Sequence, residues 1–150
     1  AGGAICATVS HHIQHEKIEK IQNQILIYPS LDYTLGSESI TLNGDGYLLH
    51  KEKIKWYFDH YFKKNEDRKK ASPLFMEFSQ HLPRTLLITA EFCPLKDEGA
   101  AYVRKLTDAG VPCEHLHFDD MIHAFLNMED LVKEECARVY DSIGRFLNSG

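Results

Sequence analysis

Among the nine histidines of this chain, His123 is singled out by its setting, Asp119-Asp120-Met121-Ile122-His123-Ala124-Phe125. An imidazole titrates near neutrality and is the commonest general acid and base. A second reactive stretch runs Thr89-Ala90-Glu91-Phe92-Cys93-Pro94-Leu95-Lys96-Asp97-Glu98-Gly99. It offers a thiol at Cys93 and a carboxylate at Asp97 as partners for the imidazole. Asp119 and Asp120 are two further carboxylates close to His123 in sequence. A Cys–His pair can also lower a thiol pKa and create a nucleophile. His11 and His15 have the i, i+4 spacing of a helical zinc pair, and His115 and His117 share a strand face. Neither pair has a third ligand at a suggestive position, so no metal site is expected and a solvated face is the simpler reading. Ser10, Ser30, Ser37 and Ser72 all lack the G-x-S-x-G setting of an exposed nucleophile.

The elements that must position these residues alternate between strand and helix. Small residues from Ala1 to Ala7, feeding Val9 and Ile13, read as the first turns of a buried helix. Ile25-Leu26-Ile27-Tyr28, closed by Pro29, reads as a buried strand. Residues 31–46 are rich in Ser, Thr, Gly and Asp and read as a loop. Lys51 to Phe62 carries apolar residues at Ile54, Tyr57, Phe58, Tyr61 and Phe62, a helical spacing. With Trp56, this face is either the packed side of the helix or an acyl-binding or interface surface. Leu86-Leu87-Ile88 is a second strand, Asp97 to Ala109 a helix stopped by Gly110, and Cys113 to Phe118 a third, more polar strand near a sheet edge. Glu129 to Leu147 reads as a last helix, with Asn127 as its N-cap. This order implies right-handed crossovers and a parallel sheet. Adjacent parallel strands bring the Cys93 and His123 loops to one edge, where open α/β sheets place their sites. Three strands make a narrow sheet, so further strands are expected.

Composition excludes several classes. Hydrophobic residues make up 43% and charged residues 26%, as in a globular domain. The net charge of −5, with 17 basic against 22 acidic side chains, argues against nucleic acid as a partner. The basic run from Lys63 to Lys70 is interrupted by Glu66 and Asp67 and reads as a solvated helix end or loop. No apolar run is long enough to span a membrane. Cys6, Cys93, Cys113 and Cys136 have no C-x-x-C spacing, so a reducing cytoplasm is the default expectation.

Several segments carry a family resemblance. Cys93-Pro94-Leu95-Lys96-Asp97-Glu98-Gly99 resembles D-P-L-R-D-E-G, and Asp120-Met121-Ile122-His123-Ala124-Phe125 resembles G-M-x-H-x-F. Ile27-Tyr28-Pro29 followed by Leu31-Asp32, and Ala71-Ser72-Pro73-Leu74, also fit. In order and spacing the chain resembles, over essentially its whole length, the hormone-sensitive-lipase-like branch of the α/β-hydrolases. That branch includes bacterial esterases and arylacetamide deacetylase.

The resemblance implies the C-terminal portion of an α/β-hydrolase domain over residues 1–150, with 31–83 inserted between strands. It implies a carboxylic-ester hydrolase with a Ser-His-acid triad and no cofactor. His123 is then the catalytic histidine. The family's nucleophile lies in G-D-S-A-G-G, and this chain opens Ala1-Gly2-Gly3. The serine is therefore expected just upstream of Ala1, and the Ala1 N–H becomes an oxyanion donor. This start suggests a cut, and the chain alone is expected to be inactive. The resemblance further implies small acyl esters as substrates, and as partner a second copy through the last strand and helix or the missing N-terminal half.

Cys93 is the departure, since it occupies the family's acid position. Loss of that carboxylate costs on the order of 10⁴-fold in kcat in a serine protease. Three readings stand: an inert relic, a thiol that weakly orients His123, or a reactive thiol. Asp97, Asp119 and Asp120 are the candidate substitute acids. The alternative to an enzyme is a degenerate, non-catalytic α/β domain used for binding or dimerisation.

Overall fold

The computed structural model describes residues 1–16 and 21–149. Three parallel strands, β1 (Asn23–Ile27), β2 (Arg84–Phe92) and β3 (Cys113–Ile122), form a sheet in the order β1-β2-β3. Helix α1 (Gly2–Ile13) precedes β1. Between β1 and β2 lie α2 (Glu38–Leu42), α3 (Lys51–Tyr61) and α4 (Arg68–Ala71). Helix α5 (Lys96–Asp108) crosses from β2 to β3, and α6 (Lys133–Asn148) follows β3.

The strands form where the apolar runs predict them, because a central parallel strand must be apolar on both faces. In β2, Leu86, Ile88 and Ala90 pack on one side with Phe118, Phe125, Cys136, Val139 and Phe146. Leu87 packs on the other with Leu26, Ala7, Tyr102 and Leu106. Helices α1 and α5 therefore cover one face and α6 the other. β3 pairs only with β2 among the described strands, in keeping with its polar sequence.

Two glycines set how closely helices approach the strand ends. A Cβ on Gly3 would lie 2.8 Å from Cβ of Pro29, so only glycine lets α1 sit against the end of β1. A Cβ on Gly99 would meet Thr89 Cγ2 at 2.8 Å, which draws α5 onto β2.

Several sequence expectations are corrected. The last helix begins at Lys133, not Glu129. Asn127 is not its N-cap but lies inside a 3₁₀ turn, Phe125–Met128, where its N–H donates to Ala124 O over 2.9 Å. β3 continues four residues past Phe118, through the polar pair Asp119 and Asp120. The 31–46 stretch contains the short helix α2. The Lys63–Lys70 run contributes to α4, capped by Asp67, whose side chain accepts from the Lys70 N–H. On α3, Ile54 and Phe58 are buried, but Tyr57 and Tyr61 are 50% and 70% exposed. His11 is buried rather than solvated. Its Nδ1 lies 2.8 Å from Glu77 O and its Nε2 2.9 Å from the Tyr102 hydroxyl.

Candidate active site

His123 is brought to Cys93 by strand register. Ala90 of β2 is level with Phe118 of β3, yet Phe92 is level with Ile122. Two residues of β2 thus oppose four of β3, a bulge that takes up two extra residues. The next residue along each strand is Cys93 and His123. The result is an Sγ to Nδ1 distance of 3.2 Å. Past His123, Ala124 turns the chain away with φ of 64°, a left-handed value uncommon for alanine. Tyr28, at the end of β1, also has a positive φ, of 34°. Its ring lies 4.6 Å from the imidazole, centroid to centroid. Strained backbone of this kind clusters at functional sites.

The site is apolar around its one imidazole. Cys93 is 1% exposed, and burial pushes its thiol up to about 12. Burial likewise pushes His123 down to about 4. The pair is therefore neutral near pH 7, with the proton on sulfur and no thiolate–imidazolium couple. That state does not favour the reactive-thiol reading of Cys93. The Leu95 N–H also donates to Cys93 Sγ, over 3.4 Å.

His123 opens onto a cavity of about 550 Å³. Its wall includes Ala1 and Gly2 at the start of α1, Tyr28 from the end of β1, and Ile54, Tyr57 and Tyr61 from α3. Helix starts carry free N–H groups and a partial positive charge. The cavity thus combines one imidazole, a helix N-terminus and an apolar wall, a combination suited to an uncharged substrate that develops an oxyanion. Sequence reading missed Tyr28 as a contact of His123. The only signal was its position before Pro29, at a strand end.

None of the three carboxylates considered as substitute acids is hydrogen-bonded or ion-paired to His123 among the described residues. Asp97 Oδ2 accepts from the Ser39 N–H over 2.7 Å, which ties α5 to α2. Asp119 is 95% exposed and lies 3.5 Å from His117 Nε2. Asp120 is exposed on β3. Glu98, near the start of α5, is a buried carboxyl, with Oε1 accepting from the Leu31 N–H over 2.7 Å. Burial raises its pKa well above the usual carboxyl range, which favours its protonated form. His115 and His117 both bond to Thr89 Oγ1, at 2.8 and 2.7 Å, and His117 reaches Glu91 at 3.0 Å. Among the described residues no group of three or more His, Cys, Asp or Glu is arranged to hold a metal ion.

Comparison with known proteins adds to this geometry. The profile of the alpha/beta hydrolase fold family matches residues 1–127. Ethyl acetate hydrolase of Pseudomonas putida is 28% identical over 136 residues, covering 89% of this chain and 43% of that protein. The carboxylic ester hydrolase LipN of Mycobacterium tuberculosis is 34% identical over 111 residues, 72% of this chain and 30% of that protein. A solved hyperthermophilic esterase from the archaeon Pyrobaculum calidifontis superposes with a TM-score of 0.88 at 29% identity, covering 97% of this chain and 49% of that chain. The chain spans less than half the length of both curated relatives. Motifs, strand order and these likenesses agree, and the chain belongs to the α/β-hydrolase fold family, in its hormone-sensitive-lipase-like branch of esterases.

Proposed function

We propose that the whole protein hydrolyses carboxylic esters with a serine immediately upstream of Ala1. In this reading His123 takes the serine proton as general base and returns it to the leaving alcohol as general acid. The Ala1 N–H, at the start of α1, donates to the oxyanion. Cys93 stands where the acid of the triad stands in the family. The observation that carries the reading is the placing of His123, abreast of Cys93 at the strand ends and open to a cavity that Ala1 also lines.

The apolar wall of Tyr28, Ile54, Tyr57 and Tyr61 suits a small, uncharged acyl ester. Without its upstream part, the chain is expected to be inactive. Its partner is that upstream part or a second copy.

The test is hydrolysis of aryl esters by the protein with its upstream segment, before and after His123→Ala. General acid–base catalysis contributes roughly 10²- to 10⁴-fold when the base is free to act, so kcat is expected to fall. An unchanged rate would remove His123 from the mechanism. The neutral Cys93–His123 pair favours a second reading, a non-catalytic binding domain. In that case no variant hydrolyses ester, while a non-hydrolysable ester analogue still binds and shifts the His123 resonances.

A further inference from the structure

His123 has two ring nitrogens, and the surroundings of Cys93 decide which one carries the proton. Nδ1 lies 3.2 Å from Cys93 Sγ, and the Leu95 N–H already donates to that sulfur over 3.4 Å. With Cys93 1% exposed, bulk water does not reach the thiol. Among the described residues, Nδ1 is the one acceptor within reach of the S–H.

Two arrangements of hydrogens are open. If Nδ1 carried the ring proton, two N–H groups would converge on one weakly accepting sulfur. The thiol hydrogen would then be buried with no acceptor. If Nε2 carries the proton, the thiol donates to Nδ1, the sulfur accepts from Leu95, and every group is paired.

We propose that Cys93 latches His123 in its Nε2–H tautomer, so that the nitrogen left for the cavity is a hydrogen-bond donor and not a base. A carboxylate at this position acts in the opposite sense: it accepts from Nδ1–H and leaves Nε2 bare. For His123 to accept a proton at Nε2, the ring proton must first move from Nε2 to Nδ1. That shift neither gains nor loses a proton, but it gives up the S–H···Nδ1 bond. Cys93 is a positioning residue that acts through His123 and holds the rate down. Only this effect on rate rests on the proposed ester hydrolysis; the tautomer does not.

The spectroscopic test is a two-bond ¹H–¹⁵N correlation spectrum of the labelled chain at pH 7, with His123 assigned by its loss in His123→Ala. The expected result is a proton on Nε2 in the parent and on Nδ1 in Cys93→Asp. A parent His123 protonated on Nδ1, or averaged between the tautomers, overturns the latch. The kinetic test uses the protein with its upstream segment. Cys93→Asp is expected to raise kcat by about 10²- to 10⁴-fold, the upper figure being the penalty of a wrong tautomer in a serine protease. Cys93→Ala removes the latch without adding a carboxylate, and its kcat is expected to match or exceed the parent's. A Cys93→Ala enzyme slower than its parent overturns the latch as well. If no variant hydrolyses ester while the spectra place the proton on Nε2, the latch stands and the hydrolase reading fails.

Discussion

At the scale of single residues, the buried titratable groups pull stability in opposite directions with pH. Burial lowers the pKa of His11 and of His123 below the ordinary 6.5. Their contribution is present above that value and is lost as pH falls below it, because the unfolded chain then binds more protons. Glu98 acts in the other sense. Its folded pKa lies well above 4.5, so its contribution is present at low pH and declines as pH rises past 4.5. Glu98→Gln isolates this effect, since both proteins carry the same histidines. Urea denaturation at pH 5 and pH 8 is expected to show the parent losing stability relative to Glu98→Gln as pH rises. Parallel profiles would mean that Glu98 is not held protonated. At this scale the sequence was only partly legible. That the Cys93 and His123 loops meet at one edge of the sheet is legible from the strand pattern. The burial of His11 was not, because its partners Glu77 and Tyr102 are far away in sequence.

At the scale of elements, the strands were legible from apolar runs, and β2 shows why. A strand covered on both faces has no polar alternation to obscure it. In sequence Asp119 and Asp120 look like a loop after Phe118, yet β3 runs on through them, because an exposed bulge tolerates them. Helix α6 starts only at Lys133, although Glu129 and Asp130 mimic an acidic first turn. The chain instead closes a 3₁₀ turn there, and the Leu131 N–H donates to Met128 O over 2.8 Å. The seat of α1 on β1 gives a prediction. Gly3→Ala places a methyl 2.8 Å from Cβ and 3.3 Å from Cα of Pro29. The helix must shift, at an expected cost of about 1–3 kcal/mol by denaturant titration, against a gain of about 1 kcal/mol in helix propensity. In the proposed hydrolase the same shift displaces the Ala1 N–H from its place in the cavity wall, so kcat is expected to fall along with stability. A variant at least as stable as the parent would show that the contact yields freely.

At the scale of the molecule, surface area carries the argument. A compact monomer of 17.2 kDa is expected to expose about 7,800 Å². The chain exposes 8792 Å². Part of the excess is apolar, with Ile5 and Val9 on α1 and Trp56, Tyr57 and Tyr61 on α3 among the exposed large side chains. Apolar surface of this kind marks an interaction site or an association liability. Sedimentation of the chain at micromolar concentration is therefore expected to show species heavier than 17.2 kDa. Ile5→Glu together with Tyr61→Glu should shift it toward the monomer. A monomeric parent would remove self-association from the proposal.

The bulge in β3 bears on how that strand meets other molecules. β3 has one side unpaired among the described strands, and unpaired strand edges recruit further strands. Its first six residues, from Cys113 to Phe118, keep a regular register with β2 and offer a straight ladder to a neighbour. Beyond Phe118 the irregular backbone and two aspartates interrupt any such ladder, since bulges and charges are common protections against edge-to-edge growth. The same two extra residues that bring His123 level with Cys93 thus confine strand addition to the far end of β3, away from the mouth of the cavity.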